Sequence, residues 1–389
     1  MMALFAHGFR PFFLMAGLVA PLGVGLWVMT LTGLPLPEGP LPMIRWHAHE
    51  LLAGFVGAAM IGFLLTAIPN WTGRRGYSGV PLVALVVLFL AARLVMLPGS
   101  PVPIGIAVVI DLAALPATLL LVLPALVKAG SARLFGPPVL VLIFWAGQVM
   151  MAAEAAGWWT SPGWAAGQML MADTALLLVV LIGGRIVPSF TLNALRKTER
   201  AAEAQPLPGV DRAAILAVAL VTVVDLIDPG GKVAGAFAAV AAALVALRLS
   251  RWHGLRTLRW PILWVLHLAY ALIPLALAVK AAFLLAASPW GAAWLHLQMA
   301  GAVSLMILAV MTRATLGHTG HALVAAPSVV LAYGLVLTAA LLRGFMGLAE
   351  ADALVVVGAA ALCWMTAFVL FLRVYAPILW MPRADGKPG

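Results

Sequence analysis

The stretch Trp46-His47-Ala48-His49-Glu50-Leu51-Leu52-Ala53-Gly54-Phe55-Val56 opens an apolar run that continues to Pro69. About 20 apolar residues is what a helix needs to cross the hydrocarbon core of a bilayer. Two imidazoles and a carboxylate at the mouth of such a helix are costly and mark a functional site. Imidazole is also the commonest protein metal ligand. The plain alternative is an interfacial pair hydrogen-bonded to lipid headgroups and backbone. Three more histidines, His267, His296 and His318, lie in or beside apolar runs.

The rest of the chain has the same character. Of 389 residues, 64% are hydrophobic and 9% charged, and the mean hydropathy is +1.10. Soluble domains carry about 25% charged residues, so this composition reads as an all-α, polytopic membrane protein. A net charge of +10 calls for no nucleic-acid partner, because basic loops set membrane topology. The single cysteine, Cys363, excludes an intrachain disulfide and a CxxC site.

Proline, glycine and charge divide the chain into about twelve spans, near 10–32, 47–69, 80–97, 102–124, 136–158, 164–188, 212–227, 232–250, 261–286, 291–313, 323–347 and 351–373. Pro69-Asn70-Trp71 reads as the stop of the second. The first is long and lacks a convincing cleavage site, so it reads as a retained span. Helices 1–6 occupy about 10–190 and helices 7–12 about 212–380. A polar linker, 191–211, joins them within one integral membrane domain, 1–389. No clear internal repeat is visible. All but five of the 23 Lys and Arg residues (Arg45, Arg93, Lys232, Lys280 and Arg343) fall on one side of this layout. The positive-inside rule then puts both termini in the cytoplasm.

Topology assigns depths. His47 and His49 fall at the outer end of span 2, and His296 lies about 8 Å below the outer surface at 1.5 Å per residue. His267 lies about 9 Å deep from the cytoplasmic side, near the level of His318. The expectation is an outer group, with His47 or His49 and His296 flanking one metal, and an inner group of His267 and His318. Residues two apart on a helix face nearly opposite ways, so His47 and His49 meet different neighbours. His47 shares its face with Glu50, Gly54 and Gly57. Such a small-residue stripe admits another helix or a flat macrocycle. Glu50, Asp111 and Asp173 are candidates to pass protons, with interhelical hydrogen bonding as the structural alternative. Lys280 either pairs with a buried carboxylate or snorkels outward.

Six motifs follow one another along the chain. They are Gly8-Phe9-Arg10-Pro11-Phe12-Phe13, then Trp46-His47-Ala48-His49-Glu50 ahead of Gly54-Phe55, then Pro69-Asn70-Trp71-Thr72-Gly73. Gly184-Arg185-Ile186-Val187-Pro188 and Trp264-Val265-Leu266-His267-Leu268 come next. Met311-Thr312-Arg313-Ala314-Thr315-Leu316-Gly317-His318-Thr319-Gly320 closes the set. Together they resemble the NnrS family, bacterial haem- and copper-containing membrane proteins linked to nitric oxide and nitrosative stress. The resemblance covers essentially the whole chain.

It implies copper and haem b, the latter non-covalent because no CxxCH motif is present. It also implies nitric oxide as ligand, a link to denitrification, a place in the bacterial inner (plasma) membrane, and an electron donor outside the chain. His47, His49, His267, His296 and His318 occupy motif positions as the implied metal ligands; His7, His253 and His321 do not. Arg10, Arg185 and Arg45 become candidates for haem propionates, since guanidinium pairs bidentately with carboxylate, and Gly54 for the macrocycle face. The same arginines also serve as topology charges.

Two function classes follow. One is a haem–copper protein that binds or reduces nitric oxide, either an enzyme or a sensor. The other is a secondary transporter of a small solute with structural histidines, for which twelve spans about a central linker is a common outline. The gathered imidazoles favour the first. Interrupted spans at matching places, the mark of the second, are not seen in the sequence.

Overall fold

In hydrocarbon every backbone N–H and C=O must be satisfied within the protein, which leaves helices as the way for an apolar chain of this pattern to cross. The computed structural model describes residues 3–160, 162–197, 207–348 and 352–387, and among them no strand occurs. Among the described residues, ten helices are long and apolar enough to span a membrane. They are α1 (Phe9–Leu31), α2 (Met43–Thr72), α4 (Ile104–Ala129), α5 (Gly136–Ala155), α6 (Gly163–Arg196), α8 (Lys232–Ser250), α9 (Pro261–Ala286), α10 (Pro289–His318), α11 (Pro327–Gly344) and α12 (Ala353–Trp380). Two more complete the series. Helix α3 (Val80–Val95) is shorter, and α7 (Pro208–Ile227) carries Asp211, Arg212 and Asp225. The expected polytopic all-α fold is present; of the 191–211 linker, α6 takes up the start to Arg196 and α7 the end from Pro208, and residues 198–206 lie outside the described residues.

The chain forms two compact units. Unit 1 comprises residues 1–171, 314–322 and 368–389. Within it α1 packs along α2, and glycines set the approach. A Cβ on Gly62 would meet the Phe13 ring at 2.9 Å, and one on Gly17 the Phe371 ring at 2.9 Å. Small residues at helix crossings are what close packing in a membrane requires. Arg10 is 0% exposed and donates from Nη1 to the carbonyls of Leu379 (3.1 Å) and Met381 (2.7 Å). It thereby caps the C-terminal end of α12, whose last carbonyls have no partner within the helix. The start of α1 and the end of α12 therefore lie on the same side of unit 1.

Unit 2 comprises residues 172–313 and 323–367. Helix α8 packs on α9 and α7. The Gly183-Gly184 pair of α6 has a spatial role. Gly183 lies against the Tyr270 ring, and a Cβ on Gly184 would collide with the Arg248 guanidinium. Arg248 threads past it to donate to Asp211 (2.7 Å), the Val180 carbonyl (2.9 Å) and the Tyr270 hydroxyl (2.9 Å). Gly184→Ala is expected to cost about 1–3 kcal/mol by overpacking. Melting of the detergent-solubilised protein checks this, and an unchanged transition would mean that Arg248 moves aside freely.

Two features depart from the sequence reading. Helix α2 passes through Pro69 and stops at Gly73, whose φ of +66° suits glycine. Helices α2 and α10 also share a local design. In each, a histidine (His49, His296) is followed at once by a seven-residue π-helical segment, Glu50–Val56 and Leu297–Val303. Each segment holds an Ala-Gly pair, at 53–54 and 300–301, and each helix ends in Thr-Gly, at 72–73 and 319–320, with the glycine at positive φ. An internal repeat is therefore present. It is short and cryptic because His, Ala-Gly and Thr-Gly are the positions held in common.

Candidate functional site

His47 is in the α-helical part of α2 and Glu50 begins the π-segment. Both lie beside Gly23 of α1, and Glu50 lies beside Gly54, so the shared face of His47, Glu50 and Gly54 is present at its first two turns. His47 turns to α1, where its ring stacks on Trp27 with centroids 5.6 Å apart. Its Nδ1 lies 3.2 Å from the Gly23 carbonyl. A carbonyl only accepts, so Nδ1 carries the proton and the lone pair sits on Nε2. A backbone anchor of this kind fixes the tautomer of many metal-binding histidines.

His49 and Glu50 turn instead to α3, α4 and α5. Arg93 donates to Glu50 Oε1 at 2.7 Å and, from its other terminal nitrogen, to Asp111. His49 reaches Asp111 Oδ2 at 2.8 Å with Nε2 and Glu50 Oε1 at 3.1 Å with Nδ1. Gln148 donates to Asp111 Oδ2 at 2.7 Å. All five are buried. With both carboxylates ionised, both His49 nitrogens donate, so the ring is an imidazolium and the cluster is neutral. Two of the proton candidates, Glu50 and Asp111, thus meet in one network. The space beside Gly54 is taken by Val19 and this same Arg93.

Unit 2 holds the second buried network. Asp173 and Asp225 are each 1% exposed and Lys280 0%. Lys280 donates to Asp225 Oδ2, and Gln298, the second residue of the α10 π-segment, donates to Asp173 Oδ1 at 3.0 Å. Lys280 pairs inward under the Trp294 ring and does not snorkel. His267 lies on α9. Thr191 donates its hydroxyl proton to the Val187 carbonyl (2.9 Å), so its oxygen accepts from His267 Nε2 at 2.8 Å. The lone pair is then on Nδ1, which is buried without a protein partner. It faces Gly254, where a Cβ would come within 2.9 Å; the glycine leaves a notch at this atom. His296 is half-buried beside the π-segment of α10.

The remaining candidates are at the termini end of unit 1 or on the surface. The His318 ring packs on Phe9 at 5.5 Å, and its carbonyl accepts from Arg383 at 2.7 Å. His7 stacks on the same Phe9 ring, with centroids 6.0 Å apart. Burial, then the charges of Arg10, His318 and Arg383, hold the His7 imidazole below its ordinary value of 6.5. Arg10 keeps Nε and Nη2 buried with no acceptor. Arg45 pairs with Glu154 at 2.8 Å, and Arg185 is exposed.

Among the described residues no group of three or more His, Cys, Asp or Glu side chains is arranged to hold a metal. The fit to haem and copper rests on single atoms: the buried lone pair of His267, the anchored ring of His47 and the unmet N–H groups of Arg10. Arg93, Asp225, Thr191 and His7 went unread in the sequence as site residues. The signal that leads to two of these networks is the repeated His-to-Ala-Gly spacing. No curated protein matches the chain. The family model described as NnrS protein matches residues 3–383, nearly the full length, and the chain belongs to the NnrS family.

Proposed function

We propose that this protein holds haem b and copper in the bacterial inner membrane, binds or reduces nitric oxide there, and protects against nitrosative stress. The family supports this reading, and the observation in the molecule that carries it is His267. A buried imidazole nitrogen with its tautomer set by Thr191 and no protein acceptor or donor opposite it is the electronic state that a metal ion requires. On α2 we assign the ligand role to His47, because the His49 ring donates to two carboxylates. His296 and His318 complete the imidazole set. The unmet donors of Arg10 suit a propionate. Bound haem would supply iron able to bind a diatomic gas, and copper would supply one-electron chemistry. Proton supply falls to Glu50 and Asp111, held by Arg93 and His49, and to Asp173. Electrons come from a donor outside the chain.

Protein produced with ample haem is expected to show a Soret band, to release haem into acid–acetone, and to shift that band when reduced and given nitric oxide without oxygen. Gas loss at an electrode separates turnover from binding. His267→Ala and His47→Ala, with iron and copper counted separately, should each lower one metal. Full occupancy of both metals in both variants would overturn the ligand assignment.

One observation favours the transporter reading. The matched π-segments of α2 and α10 are interruptions at equivalent places in two repeated helices, as carriers built from repeats have. Protein that lacks haem but moves a solute across vesicles would establish that reading instead.

A further inference from the structure

The two buried networks differ in one respect that decides what each can do. In unit 1, Arg93, His49 and Gln148 bring donors to both carboxylates. In unit 2 the donors fall short. Asp173 Oδ2, Asp225 Oδ1 and Gln298 Oε1 are all buried and all lack a donor. The groups facing Asp173 are Lys280 from α9, Asp225 from α7 and Gln298 from α10. Lys280 is committed to Asp225 Oδ2 and the Gln298 amide to Asp173 Oδ1. The oxygens left over are one from each carboxyl, and the two carboxyls are close enough to act directly on each other.

Two ionised carboxylates do not hold such a contact in a dry interior, because like charges at that separation cannot both be kept. With a single ammonium present, two carboxylates would also leave a net negative charge at a site with no exposed surface. One proton resolves both problems. Placed on Asp173 and donated to Asp225, it turns two unmet acceptors into a bonded pair and makes the site neutral with Lys280. We infer that Asp173 and Asp225 share one exchangeable proton, with Lys280 holding the remaining negative charge, and that this pair is a proton-loading site among the helices of unit 2. Gln298 ties the site to the α10 π-segment, one residue beyond the start of which it sits. A site of this kind serves any reaction or transport step that consumes protons inside the membrane. It deepens the proton supply of the proposed function, yet its readout involves neither haem nor nitric oxide, so either idea can fail alone.

The test is infrared spectroscopy of the purified full-length protein in detergent at neutral pH, in H2O and D2O. The expected result is a protonated-carboxyl band that is lost in Asp173→Asn and shifts in D2O. Asparagine mimics the neutral acid, so Asp173→Asn should fold and melt near the parent protein. Asp225→Asn, which leaves the buried ammonium without its anion, should melt far lower. Gln298→Leu should keep the band and move its frequency. A band unchanged in Asp173→Asn, or one that never exchanges with D2O, overturns the site. So does an Asp173→Asn protein that fails to fold or melts as low as Asp225→Asn, because Asp173 is then needed as an anion. An unmoved band in Gln298→Leu counts against it equally.

Discussion

Arg93→Met is expected to destabilise the protein by about 3–5 kcal/mol, enough to remove most folded material from a membrane preparation. The cause is what stays behind. Glu50 and Asp111 are both buried and both take a hydrogen bond from this one guanidinium. Without it, a single imidazolium faces two carboxylates in a place that water does not reach. Arg93→Lys should recover only part of the loss, since an ammonium lacks the planar fork that spans two acceptors. Combining Arg93→Met with Glu50→Gln should recover more, because His49 and Asp111 then remain as a neutral pair. Fluorescence-detected gel filtration after heating reads all three variants. A single Arg93→Met protein as stable as the parent would show that the cluster does not carry the charges assigned to it.

Arg10→Met comes second in size. It removes donors from the carbonyls of Leu379 and Met381, and hydrogen bonds from charged groups contribute about 1.5–3 kcal/mol each. A loss of about 3 kcal/mol or more is expected, read as a lower melting transition. Arg10→Lys should retain the cap in part. The two variants also separate the roles of this side chain. If the unmet Nε and Nη2 groups hold a propionate, haem content falls in Arg10→Lys further than stability does. Equal falls would leave Arg10 as a cap alone.

The helices were legible in the sequence wherever a long apolar window was bounded by proline or charge. Pro261–Ala286 and Lys232–Ser250 fall where the pattern puts them. Proline inside a window misled at α2 and α6. Both helices run past Pro69 and Pro188, because in apolar surroundings continuing the helix costs less than exposing backbone groups. The histidines were legible as unusual for their depth. The partners of the buried charges were not. Hydropathy fixes how deep a residue lies, while partnership depends on the rotation of each helix about its axis. Lys280 and Asp225 are 55 positions apart, and Arg93, inside the 80–97 span, reads from sequence only as a charge on the outer side. The π-segments had the least visible signal, since a change from i+4 to i+5 bonding needs no special residue type.

Each π-segment stores one residue of surplus winding. Removing any one residue from 50–56 would let α2 close into a regular helix, and because the widened turn already absorbs that residue, the stretches on either side would keep their facing. His49 would still point toward Asp111, while the residues inside the interval, Gly54 and Phe55 among them, would shift around the helix. No substitution has that effect, because substitutions leave the count unchanged. A family sequence one residue shorter in this interval would keep its histidine in place and lose the widened turn that follows it.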